Sequence, residues 1–237
     1  MTTIPATREP RAAATRDLRH TWRILTAVLI PVGPLGILLT RGLMPYWTSD
    51  SEEAMVAAMA AEPGRAEAMT WAFFVTFPAL LFGALAVGYV ARRGAPLLAT
   101  LGAGLTFVGF VMVASLGSTD LLVHVMGRDG YDEATIVDVA GLAAAHPTSA
   151  VGAGIFVIAH ILGMILLGIA VTRSGLVPVW AGAAIAVSQP FHLVAAVIVP
   201  SRLMDLTLGW GLTTVGFVVV ALAVLRMSDD EFDLPPR

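Results

Sequence analysis

The chain has 237 residues, 57% of them hydrophobic and 13% charged, with mean hydropathy +0.82 and a formal net charge of −3 at pH 7. A soluble domain carries about twice that charged share, and several apolar runs reach the roughly 20 residues that cross a bilayer as helix, so a soluble globular protein is excluded. Cysteine is absent, which excludes a disulfide framework, a thiol nucleophile and a Cys-ligated metal.

Residues 1–21 form a basic leader, MTTIPATREPRAAATRDLRHT. The apolar run ILTAVLIPVGPLGILLT that follows is too long for a signal-peptide core and lacks an A-x-A site, so it reads as a retained first span, about 22–40. An outer loop comes next, with TSDSEEAMVAAMAAEPG in it. There Ser49 and Glu52 fit a capping box, Pro63-Gly64 stops the helix, and Met55, Val56 and Met59 make one apolar face. A second span at about 70–91 and a third at about 95–117 are joined by the tight turn ARRGAP. The second outer loop, GYDEATIVDVAGLAAAHPTS, puts Ile136, Val139 and Ala143 on one face and ends at His146-Pro147. Spans at about 149–172 and 176–199 flank the turn TRSGLVP, and a sixth covers about 206–226. The acidic, proline-ended tail, 227–237, reads as disordered.

The expected fold is therefore all-α: a polytopic six-helix membrane bundle in 22–226 with two short helices at the outer interface. Every basic residue is Arg, and the richness in Ala, Gly and Val reads as coding bias. Arg8, Arg11, Arg16, Arg19, Arg23, Arg92, Arg93, Arg173, Arg226 and Arg237 share one side, against Arg41, Arg65, Arg128 and Arg202 on the other. The positive-inside rule then puts both termini in the cytoplasm and the chain in the plasma membrane. Topology thus accounts for the arginines, and nothing points to nucleic acid.

The halves overlay at an offset of roughly 82–85 residues. Glu62-Pro63 with FFVTFP answers His146-Pro147 with IFVIAH, and Asp120 in STDLL answers Asp205 in LMDLT. Such a repeat would gather acids and histidines around one axis, where membrane proteins often bind ligands.

Ionisable groups inside spans are candidate functional residues, because hydrocarbon does not solvate them. His160 lies about 17 Å below the outer boundary and His192 about 10 Å below it, at about 1.5 Å per residue. Ser188 and Gln189 share a face with His192, beside Pro190; they serve either a pocket or the repair of a proline kink. Asp120, His124, His146, Asp205 and Glu67 fall near outer span ends, and Asp120 and His124 are four residues apart. Their alternative is solvated interface or, for Asp205, a helix N-terminus. Trp71, Phe73, Phe77, Phe110, Phe156 and Trp210 lie nearby, as core packing or pocket wall.

Several chemistries fit such residues. Haem b between His160 and His192 needs nearly equal depths, and these differ. Metal hydrolysis by Asp120, His124, His146 and Asp205 lacks a ligand spacing such as HExxH. A transporter lacks a charged mid-membrane pathway. Acid-initiated cyclisation of a prenyl chain needs a proton donor, a dry pocket and aromatic faces for the cation. Glu62, Glu67, Asp120 and Asp205 are acids at the membrane boundary, with aromatics around them.

In length, span count and pairs of boundary acids, the chain resembles the small integral-membrane terpene cyclases of meroterpenoid and indole- or diketopiperazine-terpenoid pathways. It also looks like small multi-pass proteins of high-GC bacteria. The first resemblance covers size and topology along most of the chain and implies a cyclase without metal or other cofactor. It implies two acids on different spans, for which Glu67 (or Glu62) and Asp205 occupy comparable places. The chain departs from the fungal members, which usually have seven spans. The expectation is a cyclase acting on a prenylated, membrane-dissolved substrate, with Glu67, Asp205 and Asp120 catalytic. His124, His146, His160, Gln189, His192, Trp71 and Phe77 would bind substrate. The alternative is a non-enzymatic membrane protein, binding haem b or transporting a small molecule.

Overall fold

A computed structural model of the chain describes residues 17–115 and 119–233. The leader up to Arg16, residues 116–118 of the third span and the last four residues, including Arg237, lie outside them. Among the described residues there is no strand, and six helical stretches are long and apolar enough to cross a membrane. These are Arg19–Leu43, Pro63–Ala91, Pro96–Arg128, Pro147–Ser174, Val179–Ile198 and Arg202–Arg226.

In chain order the helices are α1 (Arg19–Leu43), α2 (Glu52–Ala61), α3 (Pro63–Ala91), α4 (Pro96–Ser115), α5 (Thr119–Arg128), α6 (Glu133–Ala145) and α7 (Pro147–Ser174). They continue with α8 (Val179–Leu193), α9 (Arg202–Met204), α10 (Trp210–Arg226) and α11 (Asp229–Phe232). A π turn, Val194–Ile198, extends α8, and a second, Asp205–Gly209, joins α9 to α10.

Prolines set the span starts. Pro63 opens α3, several residues before the expected boundary, rather than merely stopping α2. Pro147 likewise opens α7, with His146 as its cap. Proline suits the first helical position because its missing N–H would have no partner there. The predicted cap at Ser49 is in fact Ser51, whose side chain accepts from Ala54 N, and Asp132 caps α6 through Thr135 N.

α4 packs most extensively on α7, while α1 lies between α3 and α10, and α8 bridges α7 and α10. The glycines are contact points and not mere coding bias. Gly33 faces the Leu80 backbone, Gly102 that of Leu167, Gly163 that of Thr106 and Gly168 that of Ala186, each without room for a Cβ. Small residues let helices approach closely where burial of apolar surface from water supplies no drive.

The two outer helices do not lie apart on the membrane surface. α2 and α6 pack on each other and on α5, around Val56, Met59, Met69, Val123, Ile136 and Ala140. The buried face of α6 is Ile136 and Ala140, so Ala143 is exposed, contrary to expectation. The element order repeats as expected: short helix, proline-started span, tight turn, span.

At the other end, residues 228–233 are ordered where disorder was expected. Ser228 and Glu231 form a capping box, and Phe232 is buried against Tyr89 with ring centroids 5.6 Å apart. Asp229 accepts from Arg23 at 2.8 Å and Asp230 from Arg19. The acids that suggested disorder are held by the basic start of α1, which the fold brings beside them.

Candidate functional site

Asp205, the first residue of the second π turn, is fully buried. Its Oδ2 accepts from Arg41 Nε at 2.7 Å, and its Oδ1 lies 2.5 Å from His192 Nδ1. Buried charges persist only when paired, and here a cation from the end of α1 supplies the pair. With both oxygens accepting, Asp205 holds the Nδ1–H of His192 and so directs Nε2 away from the ion pair.

Local backbone builds this arrangement. The π turns lie on either side of Pro200, close after His192 and starting at Asp205. A π turn inserts a residue into the helical ladder and leaves carbonyls to be satisfied elsewhere. The segment after α1 does so: Trp47 Nε1 donates to Ala195 O at 3.3 Å and Thr48 Oγ1 to Ala196 O at 3.2 Å. The Trp47 ring also carries the Arg41 guanidinium 4.1 Å from its centroid, and Arg41 Nη1 reaches Met44 Sδ at 3.2 Å. Gly209 completes the turn, because a Cβ there would sit 2.6 Å from Asp205 Oδ1 and 3.3 Å from His192.

Four rings close around the inner side of this triad. His192 lies 5.6 Å from Trp210 and 6.4 Å from His160, while Phe110 lies 5.7 Å from His160 and 6.4 Å from Trp210. Phe156 stacks on His160 at 4.2 Å, and its carbonyl oxygen lies 2.6 Å from His160 Nδ1. Phe77 extends the wall at 6.3 Å from Phe110.

Ser188 and Gln189 neither line open space nor repair the carbonyl beside Pro190. Gln189 Nε2 donates to Thr213 Oγ1 at 2.8 Å, Thr213 Oγ1 meets Ser188 Oγ at 2.8 Å, and Ser188 Oγ donates to Ile185 O at 2.8 Å. This polar pin joins α8 to α10. Arg41 Nη2, His160 Nε2, Gln189 Oε1 and Trp210 Nε1 are buried with no hydrogen-bond partner. Such atoms are costly within a membrane, and four of the five among the described residues lie around this cluster, the fifth being Thr106 Oγ1.

The other predicted residues lie outside this cluster. Glu67 pairs with His124 at 2.5 Å and accepts from Trp71 Nε1 at 2.6 Å, and Glu67 and Trp71 are exposed. Glu67 and Asp205 thus have no partner in common. His146 is the exposed cap of α7, with Nδ1 2.8 Å from Thr148 Oγ1. Asp120 accepts from Tyr46 OH. Burial, helped by the Asp120 charge, pushes the Tyr46 phenol well above its ordinary range, so the phenol keeps its proton and donates. Asp120 and Asp205, counterparts in the repeat, are therefore both held by the stretch 41–46. Among the described residues no group of three or more His, Cys, Asp or Glu could hold a metal ion.

Arg41, Tyr46 and Trp47 escaped the sequence reading. The available signal was Arg41 itself, an arginine at a span end on the side that topology leaves poor in positive charge. All four arginines of that side are engaged: Arg65 with Glu62 at 2.6 Å, Arg128 with Asp129 at 3.2 Å and Arg202 with Tyr46 O at 2.8 Å, besides Arg41.

A groove of about 410 Å³ opens beside α4 and α7, lined by Met112, Gly152 and Ile155 among others, a helical turn outward of Phe156. No curated protein and no solved structure matches the chain. A family model described as a domain of unknown function, DUF4386, matches residues 24–227, from the first span to the end of the last, and the chain belongs to that family.

Proposed function

We propose that the chain is an integral-membrane enzyme that cyclises a prenylated, membrane-dissolved substrate by metal-independent proton transfer. The observation that carries this reading is His192, its Nδ1 held by the Asp205–Arg41 pair and its Nε2 bare beside a wall of aromatic rings. An imidazole held this way is a base of fixed tautomer, and aromatic faces stabilise a migrating cation. His192 takes the final proton. Asp205, accepting on both oxygens, orients His192 and is not the donor. The initiating proton is assigned to Asp120 in its protonated form, carried on Oδ2 while Oδ1 accepts from Tyr46, at the edge of the cluster. Glu67 is exposed and holds the buried His124 away from this cluster, and the groove beside α4 and α7 would give the substrate a way in from the membrane.

Product analysis of cells expressing the chain with a prenylated precursor tests the reading. Wild type is expected to convert the linear chain to rings, His192→Ala to lose about a hundredfold or more of that activity, and Phe110→Leu to alter the product pattern. A linear chain returned untouched by wild type would overturn the cyclase. Unchanged activity in His192→Ala would overturn only its role. A Soret band in the purified protein would favour the haem-b alternative.

A further inference from the structure

We propose that the cleft at the end of the bundle carrying both termini is a binding site for the phosphate of an anionic phospholipid. This site is independent of the reaction above and lies at the opposite end of the spans.

The cleft arises from the two short turns that join α3 to α4 and α7 to α8. Gly94 and Ser174 bring these turns into contact, since a Cβ on Gly94 would lie 2.4 Å from Ser174 Cα. Beside them opens a space of about 450 Å³, with Arg92, Arg93 and Arg226 among its lining and Val90, Leu176 and Ala223 supplying apolar surface. Guanidinium groups beside an apolar wall suit a ligand that is anionic at one end and hydrocarbon at the other, and a lipid lying along the spans presents its ends in that order.

The three cations differ in how far the protein already uses them. Arg92 stacks 3.4 Å from the Tyr89 ring centroid and lies 3.9 Å from Asp233. Arg93 donates to one acceptor, the backbone carbonyl of Asp230, at 3.3 and 3.4 Å, and lies near enough to Glu231 to feel its charge without a hydrogen bond to it. Arg226, exposed at the end of α10, makes no hydrogen bond or ion pair among the described residues, although α11 with its acids begins three residues later. Glu231 also lines the cleft, but its carboxylate is turned onto Ser228, 2.7 Å from the backbone N and 3.0 Å from Oγ. Arg93 and Arg226 therefore have donors to spare where phospholipid headgroups lie. Phosphate accepts such donors in pairs.

Native mass spectrometry of the full chain in detergent tests the site, with phosphatidylglycerol, phosphatidylcholine and glycerol 3-phosphate as probes. Phosphatidylglycerol is expected to stay bound, and Arg93→Gln combined with Arg226→Gln to weaken it by about tenfold or more. Arg226→Gln alone, at a residue with no protein partner to lose, is expected to weaken it about threefold or more without unfolding. Arg173→Gln, outside the cleft, is expected to leave binding unchanged. Wild-type affinity in Arg226→Gln, or equal retention of phosphatidylcholine, would overturn the site. Glycerol 3-phosphate bound as tightly as the lipid would overturn the lipid as its occupant.

Discussion

Arg41 and Asp205 are 164 positions apart in the chain and meet at 2.7 Å in a buried place. Removing one partner of such a pair leaves the other as an uncompensated charge. Arg41→Ala is expected to cost about 3–5 kcal/mol, measured by unfolding in detergent. Arg41→Met with Asp205→Leu should cost much less, because no charge is stranded. If the single and double variants unfold alike, the pair is not what holds this end of the bundle together. At this scale the sequence pointed to half of the site. Asp205, His192 and His160 stood out because ionisable groups are expensive in apolar runs, and they do cluster. Arg41 did not stand out, because an arginine at a span boundary reads as topology. Glu67 stood out as an acid at a boundary, and it pairs with His124 away from the Asp205 cluster.

Among elements, the π turns and α11 were the least legible. VAAVI has ordinary apolar composition, and in DLTLG only Gly209 departs from helix-forming residues; the first turn's extra residue depends on tertiary partners such as Trp47 and Thr48. Gly209 carries the local requirement. Gly209→Ala is expected to push Asp205 off His192, to be seen as loss of the protected imidazole Nδ1–H signal in NMR of labelled protein. Persistence of that signal would show that the turn can yield. In α11, the hydrogen bond from the Ser228 backbone holds the Glu231 carboxyl below its ordinary value of 4.5. A depressed folded value means that its contribution is complete above that ordinary value and lost as pH falls through the folded one. The hydrogen-exchange protection factors of residues 228–233 should therefore fall below about pH 4, and protection that is flat across this range would remove Glu231 from the account.

For the whole molecule, the number of spans was legible because length and hydropathy alone decide what crosses a bilayer. Their neighbours were not. Residues such as Gly102 and Gly163 have no signature that says which helix will lie against them, and only the assembled bundle pairs them with Leu167 and Thr106. The repeat in element order was visible, whereas the holding of both Asp120 and Asp205 by residues outside it was not.

The contact of α1 with α10 bears on how the protein is made. A chain inserted from its N-terminus releases Arg41 long before Asp205 exists, so every shorter nascent form carries a cation at the membrane boundary without its carboxylate. The carboxylate that neutralises Arg41 is made 164 positions later. Closure of this end of the bundle thus waits on Asp205, and a chain cut short anywhere before it leaves the Arg41 cation without its counter-charge.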